Sequence, residues 1–279
     1  MSFDFVPSQA ITKDVDLYAE ITSNSTLDVF SKVLDSQELV RPGIRIHDNG
    51  CGAGEVTSVI MSSPHSADIF IEATDIDESY LQRLRGRALR NKWPVNVTGM
   101  KAEDLTFASG SFDISVANFL LFMTQDDGVP ALRHMHRTLK EGGAAIFTSW
   151  AHLPHSETVK AAHLATRGVD APPLREYPPQ WKQGSHMGNI AGLSGFGKDK
   201  IEQKSVKVHI NVEDTERLAQ VMWSFLGRPV SGWLESDEEN WDRAIETIRK
   251  SFLKDKGYTM SESGQLKIEL VANVVIARK

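Results

Sequence analysis

Between residues 44 and 150 the apolar positions switch repeatedly between two periods. Ile44 to Asp48 and Ile69 to Thr74 are short runs rich in β-branched residues, the pattern of buried strands. Glu78 to Asn91 instead sets Leu81, Leu84, Ala88 and Leu89 on one side of a helix. Val95 to Thr98 and Phe112 to Asn118 return to strand spacing. Pro130 to Leu139 is helical and stops at Glu141-Gly142-Gly143, and Ala144 to Trp150 is again a strand. Strands alternating with helices predict parallel pairing through right-handed crossovers, a doubly wound α/β sheet.

The flanks read differently. Residues 15 to 40 carry Leu17, Ile21, Leu27, Phe30, Val33 and Leu34 at helical spacing, with polar breaks around 22 to 26, before Arg41-Pro42-Gly43 stops the pattern. Residues 151 to 200 gather prolines, histidines and aromatic rings, as in an insertion of helices and irregular loops. Lys200 to Val212 reads as a strand, Thr215 to Leu226 and Asp237 to Lys254 as helices, and Gln265 to Ala277 as a final strand. The expected organisation is an N-terminal helical lid over 1–40, then one domain over 41–279 with cap insertions at 151–200 and 213–260.

Composition narrows this picture. A hydrophobic fraction of 41% and a charged fraction of 24% fit a soluble globular chain. Its net charge of -6 disfavours a duplex-binding surface, so no nucleic-acid partner is expected. No apolar stretch approaches the ~20 residues of a membrane span. No basic region followed by an apolar run marks a secretory signal, so a cytoplasmic location is expected. With a single cysteine, no thiolate metal site or internal disulfide can form.

The most informative segment is Asp48-Asn49-Gly50-Cys51-Gly52-Ala53-Gly54, set between a strand and a helix. Alternate glycines let the backbone turn sharply and approach a ligand closely. Their spacing departs from G-x-G-x-x-G, because the third glycine comes one residue early and Glu55 stands in its place. Two acids, Asp48 and Glu55, suit a cofactor bearing an ammonium group better than a pyrophosphate. Gly192 to Lys198 matches G-x-x-x-x-G-K, but Asp199 stands where a phosphate loop needs Ser or Thr, so it reads as a turn. Asp75 ends the second strand, where an acid can accept hydrogen bonds from both ribose hydroxyls. Asp77, two residues on, suits a helix N-cap.

Those residues belong to an ordered set. Asp48-x-Gly50-x-Gly52-x-Gly54, Ala73-Thr74-Asp75-Ile76-Asp77, Ala102-Glu103-Asp104-Leu105, Phe112-Asp113-Ile114-Ser115-Val116 and Leu139-Lys140-Glu141-Gly142-Gly143 follow one another. Over residues 40 to 150 the chain resembles the class I S-adenosylmethionine-dependent methyltransferases. The resemblance implies a Rossmann-like seven-stranded sheet with an antiparallel last strand, and S-adenosylhomocysteine as product. It implies that Gly50, Cys51 and Gly52 line the methionine part, Asp48 organises the ammonium end, and Asp75 holds the ribose. Ile76 would pack on adenine, and Ala102 and Glu103 would flank that ring. Asn118 and Phe119 would face the sulfonium and the acceptor. Lys101 departs from the acid common in the family, which passes the adenine amino contact to Glu103. The segment from Gly195 through residue 212 is similar to fungal secondary-metabolite methyltransferases, including those that methylate thiols of gliotoxin-type compounds.

Methyl transfer from a sulfonium needs positioning, and a base only where the acceptor must lose a proton. His152, His155 and His186 are the candidate bases because they follow the fifth strand. No metal is needed. Lone Cys51 excludes arsenite and pyrimidine-C5 methylation, which require further thiols. Phe122, Met123, Trp150, Trp181 and Met187, with aromatic rings in the later helices, are the candidate lining of a largely apolar pocket. The expected function is methylation of a small metabolite, a natural-product thiol or hydroxyl, by a monomer or dimer. The alternative is a protein of this fold that binds the cofactor without methyl transfer, as a cyclisation catalyst or regulator.

Overall fold

A computed structural model describes residues 5–35, 40–64 and 66–279. In chain order the elements are α1 (Val15–Thr22), α2 (Ser25–Asp35), β1 (Arg45–Asn49), α3 (Glu55–Met61), β2 (Phe70–Asp75), α4 (Glu78–Asn91), β3 (Val95–Gly99), β4 (Phe112–Ala117) and α5 (Val129–Thr138). They continue with β5 (Leu139–His152), α6 (His155–Arg167), α7 (Gly184–Leu193), β6 (Ile201–Val212), α8 (Thr215–Leu226), α9 (Ser236–Glu239), α10 (Trp241–Ser251), β7 (Tyr258–Met260) and β8 (Leu266–Arg278).

The sheet runs β3-β2-β1-β4-β5-β8-β6, with short β7 paired antiparallel to β8. β1 lies between β2 and β4, all parallel, and β5 continues parallel beside β4. The C-terminal strand is antiparallel, as the resemblance implies. β7 is the addition to the expected seven strands: Tyr258–Met260 folds back on the first residues of the long final strand.

The chain forms two compact units. One comprises Thr26–Ala151, Pro178–Lys207 and Val271–Lys279. Among its buried polar residues is His47, whose ring is held by Ser115 Oγ at 3.2 Å and Thr74 Oγ1 at 3.0 Å and stacks on Phe112. Burial pushes the His47 imidazole down to about 3, so it stays neutral and serves the core. The other unit comprises the segment up to Ser25, His152–Tyr177 and Val208–Leu270. Here α6, α8 and α10 pack together around Trp223, Trp233 and Trp241. Arg167 Nε meets Asp237 Oδ1 at 2.6 Å with both side chains buried, and its guanidinium lies 4.6 Å from the Trp223 ring. Removing one partner of such a pair leaves a buried charge uncompensated.

Three boundaries differ from the sequence reading. The 15–40 helix is two helices, because Ser23 takes a positive φ of 48° between them, and its end at 36–39 lies outside the described residues. The 237–254 helix breaks at Asn240, which caps α10 after one short turn of α9. β5 begins at Leu139, and Gly142 and Gly143 form an irregularity within it that shifts the register between Phe112 and Ile114 of β4. Gly143 cannot carry a Cβ there, because one would sit 2.9 Å from the Lys140 carbonyl oxygen.

Candidate active site

In open α/β sheets, ligands bind outside the carboxyl ends of the strands where the strand order reverses. Here that point lies between β1 and β4, and the glycine loop leaves β1 at that edge. Gly50 and Cys51 both donate their N–H to the Thr74 carbonyl at the end of β2, at 2.8 and 2.9 Å. Gly52 donates to Asp75 Oδ2 at 2.9 Å. The loop is thus clamped to the neighbouring strand before any ligand arrives.

The three glycines have separate tasks. All have positive φ, at 68°, 52° and 92° for Gly50, Gly52 and Gly54. A Cβ on Gly50 would lie 2.6 Å from Leu120 Cδ1, and one on Gly54 would collide with Leu84 Cδ1. These two let the loop sit down on the core. Gly52 meets only Glu55 Oε2, at 3.4 Å, so it keeps the open side of the turn bare.

Carboxylates define the electrostatics. Asp75 accepts from Gly52 N–H and, through Oδ1, from Asp77 N–H at 3.0 Å, which leaves lone pairs free. Asp77 accepts from Ser79 N–H and caps α4, the role its spacing predicts. Asp48 is buried, and its Oδ2 accepts from Thr57 N–H at 3.1 Å and Thr57 Oγ1–H at 2.7 Å. Gly54, at the N-cap of α3, has no side chain to offer, so Asp48 satisfies that helix end instead. Burial raises Asp48 to about 7, against the Thr57 bonds, and burial raises Glu55 as well. A cation near this group would relieve both. Burial, reinforced by Asp48, pushes the Cys51 thiol far up, so it is no nucleophile.

The other candidates divide. Ile76 is 74% exposed, leaving an apolar side chain beside Asp75 open to a flat ring. Ala102 is buried, and Glu103 Oε1 accepts from Gln125 N–H at 3.0 Å. The Asn118 amide is taken at both ends: Nδ2–H donates to the Thr26 carbonyl at 3.2 Å, and Oδ1 accepts from Thr148 at 2.8 Å. These bonds position the end of β4 against α2, and the amide keeps a second N–H and a second lone pair beyond them. Phe119 has a positive φ of 55°, donates its N–H to Thr148 Oγ1, and stacks on Trp150 at 4.1 Å. Phe122 is half-buried and meets Trp181 edge-on, while Met123 is exposed. Trp181 and Met187 are fully buried against Ser149, whose Oγ–H donates to the Trp181 carbonyl at 2.6 Å; they hold α7 to β5.

The histidines also separate. His152 is exposed, with Nε2 beside Gly257. His155 is buried and pushed down to about 4 by that burial, which makes it a packing residue. His186 Nε2 lies 2.9 Å from Asp127 Oδ2. Thr57, Leu120, Thr148 and Asp127 were absent from the sequence reading. Of these only Thr57 carried a signal, a hydroxyl on the first turn of the helix after the glycines. Of Gly192 to Lys198, read as a turn, Gly192 and Leu193 close α7 and the chain turns at Ser194 and Gly195, the latter at φ 109° against His136.

Residues 46–143 match the family model described as a methyltransferase domain. That segment is about a third of the chain. None of the curated proteins matches the chain. Among solved structures, YcgJ of Bacillus subtilis is similar over 92% of this chain and 98% of its own, with a TM-score of 0.55 and 17% identity. Phosphoethanolamine N-methyltransferase 2 of Haemonchus contortus, in complex with S-adenosyl-L-methionine, matches 95% of this chain but 56% of its own length, at TM-score 0.55 and 18% identity. The [4+2]-cyclase SpnF matches over 90% and 81%, at TM-score 0.52 and 14% identity. At such identities these likenesses speak to the fold. No helix among the described residues is long and apolar enough to cross a membrane.

Proposed function

We propose that the protein transfers a methyl group from S-adenosylmethionine to a small, largely apolar metabolite, a thiol or a hydroxyl. The observation that carries this reading is the Asp75 carboxylate, held by the Gly52 N–H and still able to accept further bonds. Beside it stand an exposed Ile76 and a raised acid pair, Asp48 and Glu55. That donor set fits a cation-bearing nucleoside: a diol on Asp75, a flat ring on Ile76, and an ammonium toward the acids.

When bound, S-adenosylmethionine supplies an already activated methyl group, so the chain's own residues act chiefly by positioning. Gly52 leaves room for close approach to the backbone. Glu103 holds the loop after β4 through Gln125. Asn118 and Thr148 fix the end of β4 against β5, where Phe119 and Trp150 stack as a largely buried apolar surface. Such a surface suits an apolar acceptor and excludes water from the displacement. No bond in this arrangement calls for a nucleic acid or a membrane.

Asp75→Ala is expected to weaken S-adenosylmethionine binding at least about tenfold in calorimetry, since hydrogen bonds to a charged group are each worth ~1.5–3 kcal/mol. Unchanged affinity would remove the ribose assignment. The function itself is tested by incubating thiol, hydroxyl and amine metabolites with enzyme and methyl-labelled cofactor. A product heavier by one methylene unit supports the reading. Tight cofactor binding without methylated product in any class shifts it to the non-methylating alternative.

A further inference from the structure

The loop after β4 holds an arrangement that cofactor binding does not use. Asp126 and Asp127 both take positive φ, at 45° and 56°, and Gly128 follows at 81°. Two consecutive left-handed non-glycine residues cost roughly 1–2 kcal/mol each, and such strain persists where surrounding structure fixes it. What fixes it is the Asp127 carboxylate. Its Oδ1 accepts from Trp181 Nε1–H at 2.6 Å, and its Oδ2 lies 2.9 Å from His186 Nε2. His186 Nε2 is buried and sits off the ideal hydrogen-bond direction, with no other partner among the described residues. The His186 side chain nevertheless keeps 22% exposure, so the ring is reachable from one side. Trp181 is tied to the end of β5 through Ser149, and Phe122 of the same loop meets its edge. The pair therefore stands with the ends of β4 and β5, which also carry Phe119 and Trp150.

We infer that His186 is the base that takes the proton of the methyl acceptor, and that Asp127 is its positioning residue. The inference rests on the methyl-transfer reading above. A carboxylate facing Nε2 favours the Nε2–H tautomer and leaves the lone pair on Nδ1. The acceptor's lone pair forms the new bond to the methyl carbon while the carbon–sulfur bond breaks, its electron pair staying on sulfur. The acceptor's proton passes to Nδ1, the imidazolium faces Asp127, and the proton leaves to water from the exposed side.

Two small thiols test this at neutral pH: benzyl mercaptan, which arrives protonated, and 4-nitrothiophenol, which arrives as thiolate. His186→Gln should lower kcat about a hundredfold on the first, with KM within about twofold, and under about threefold on the second. His186→Gly should regain activity on benzyl mercaptan with added imidazole, and Asp127→Asn should fall between. Equal losses on both thiols, or none on benzyl mercaptan, overturn the assignment. Histidine nitrogen NMR of the S-adenosylhomocysteine complex gives a second readout that needs no turnover. His186 should show the Nε2–H tautomer, lost to a mixture in Asp127→Asn, and an Nδ1–H tautomer in the parent protein overturns the inference even where neither thiol is methylated. Calorimetry with S-adenosylmethionine separates this from the functional reading: a chain that does not bind the cofactor fails the latter.

Discussion

Gly54→Ala is expected to destabilise the protein by about 3 kcal/mol in urea unfolding and to abolish tight cofactor binding. Two terms add. A left-handed φ of 92° costs an alanine roughly 1–2 kcal/mol, and the new Cβ collides with Leu84, a residue with no exposed surface. Overpacking of that kind costs about 1–3 kcal/mol, because Leu84 has nowhere to move. Gly43→Ala isolates the first term, since φ there is 82° with nothing within 4 Å of a Cβ. It should cost only about 1–2 kcal/mol. A double-mutant cycle of Gly54→Ala with Leu84→Ala isolates the second as a favourable coupling of about 1–2 kcal/mol. Additive effects would mean that Leu84 is not what Gly54 makes room for, and equal costs at 43 and 54 would leave the collision without consequence.

The contrast between Gly54 and Asn118 shows what the sequence can carry. A glycine run between a strand and a helix has a backbone cause, and strand-helix alternation has a periodic one, so both are legible without knowing any neighbour. That is why β1, β2 and the loop between them fall where the apolar pattern sets them. Asn118 was equally visible at the end of β4, but the bonds that orient its amide come from Thr26 and Thr148, residues far away in the chain. Asp48 likewise stands in its motif, yet its partner Thr57 was chosen by the absence of any capping side chain at Gly54. The break at Asn240 was hidden for the opposite reason: residues 237–254 keep one amphipathic period across it, and only the backbone at Asn240 departs from the helix. Asp127 had no local signal at all, because its contacts come from Trp181 and His186 more than fifty residues later.

Asp48→Asn is expected to change how stability depends on pH, by more than any other single carboxyl change in the site. The carboxyl of Asp48 is raised to about 7 in the fold, against an ordinary 3.8, with burial as the main cause. Below about pH 4 both folded and unfolded chains hold the proton, and the group costs nothing. As the pH rises from there the unfolded chain ionises first, so stability is lost until the folded carboxyl also ionises near 7. At 1.36 kcal/mol per unit this amounts to roughly 4 kcal/mol across the window. Glu55, also raised by burial, adds in the same direction, whereas Asp113, held below its ordinary value by the Arg45 N–H and Lys140, titrates below this window and leaves its slope unchanged. Asparagine keeps an acceptor for Thr57 and cannot ionise. Buried His47 and His155, both held well below the ordinary imidazole value, add stability equally to both proteins as pH rises toward 6.5, so the reading is the difference: between pH 5 and pH 8 the variant should gain about 2–3 kcal/mol on the parent in urea unfolding. Parallel profiles would show that the buried carboxyl is not the titrating group. Saturating S-adenosylmethionine should narrow that pH-dependent difference between parent and variant, because an ammonium beside Asp48 returns its carboxyl toward the ordinary range.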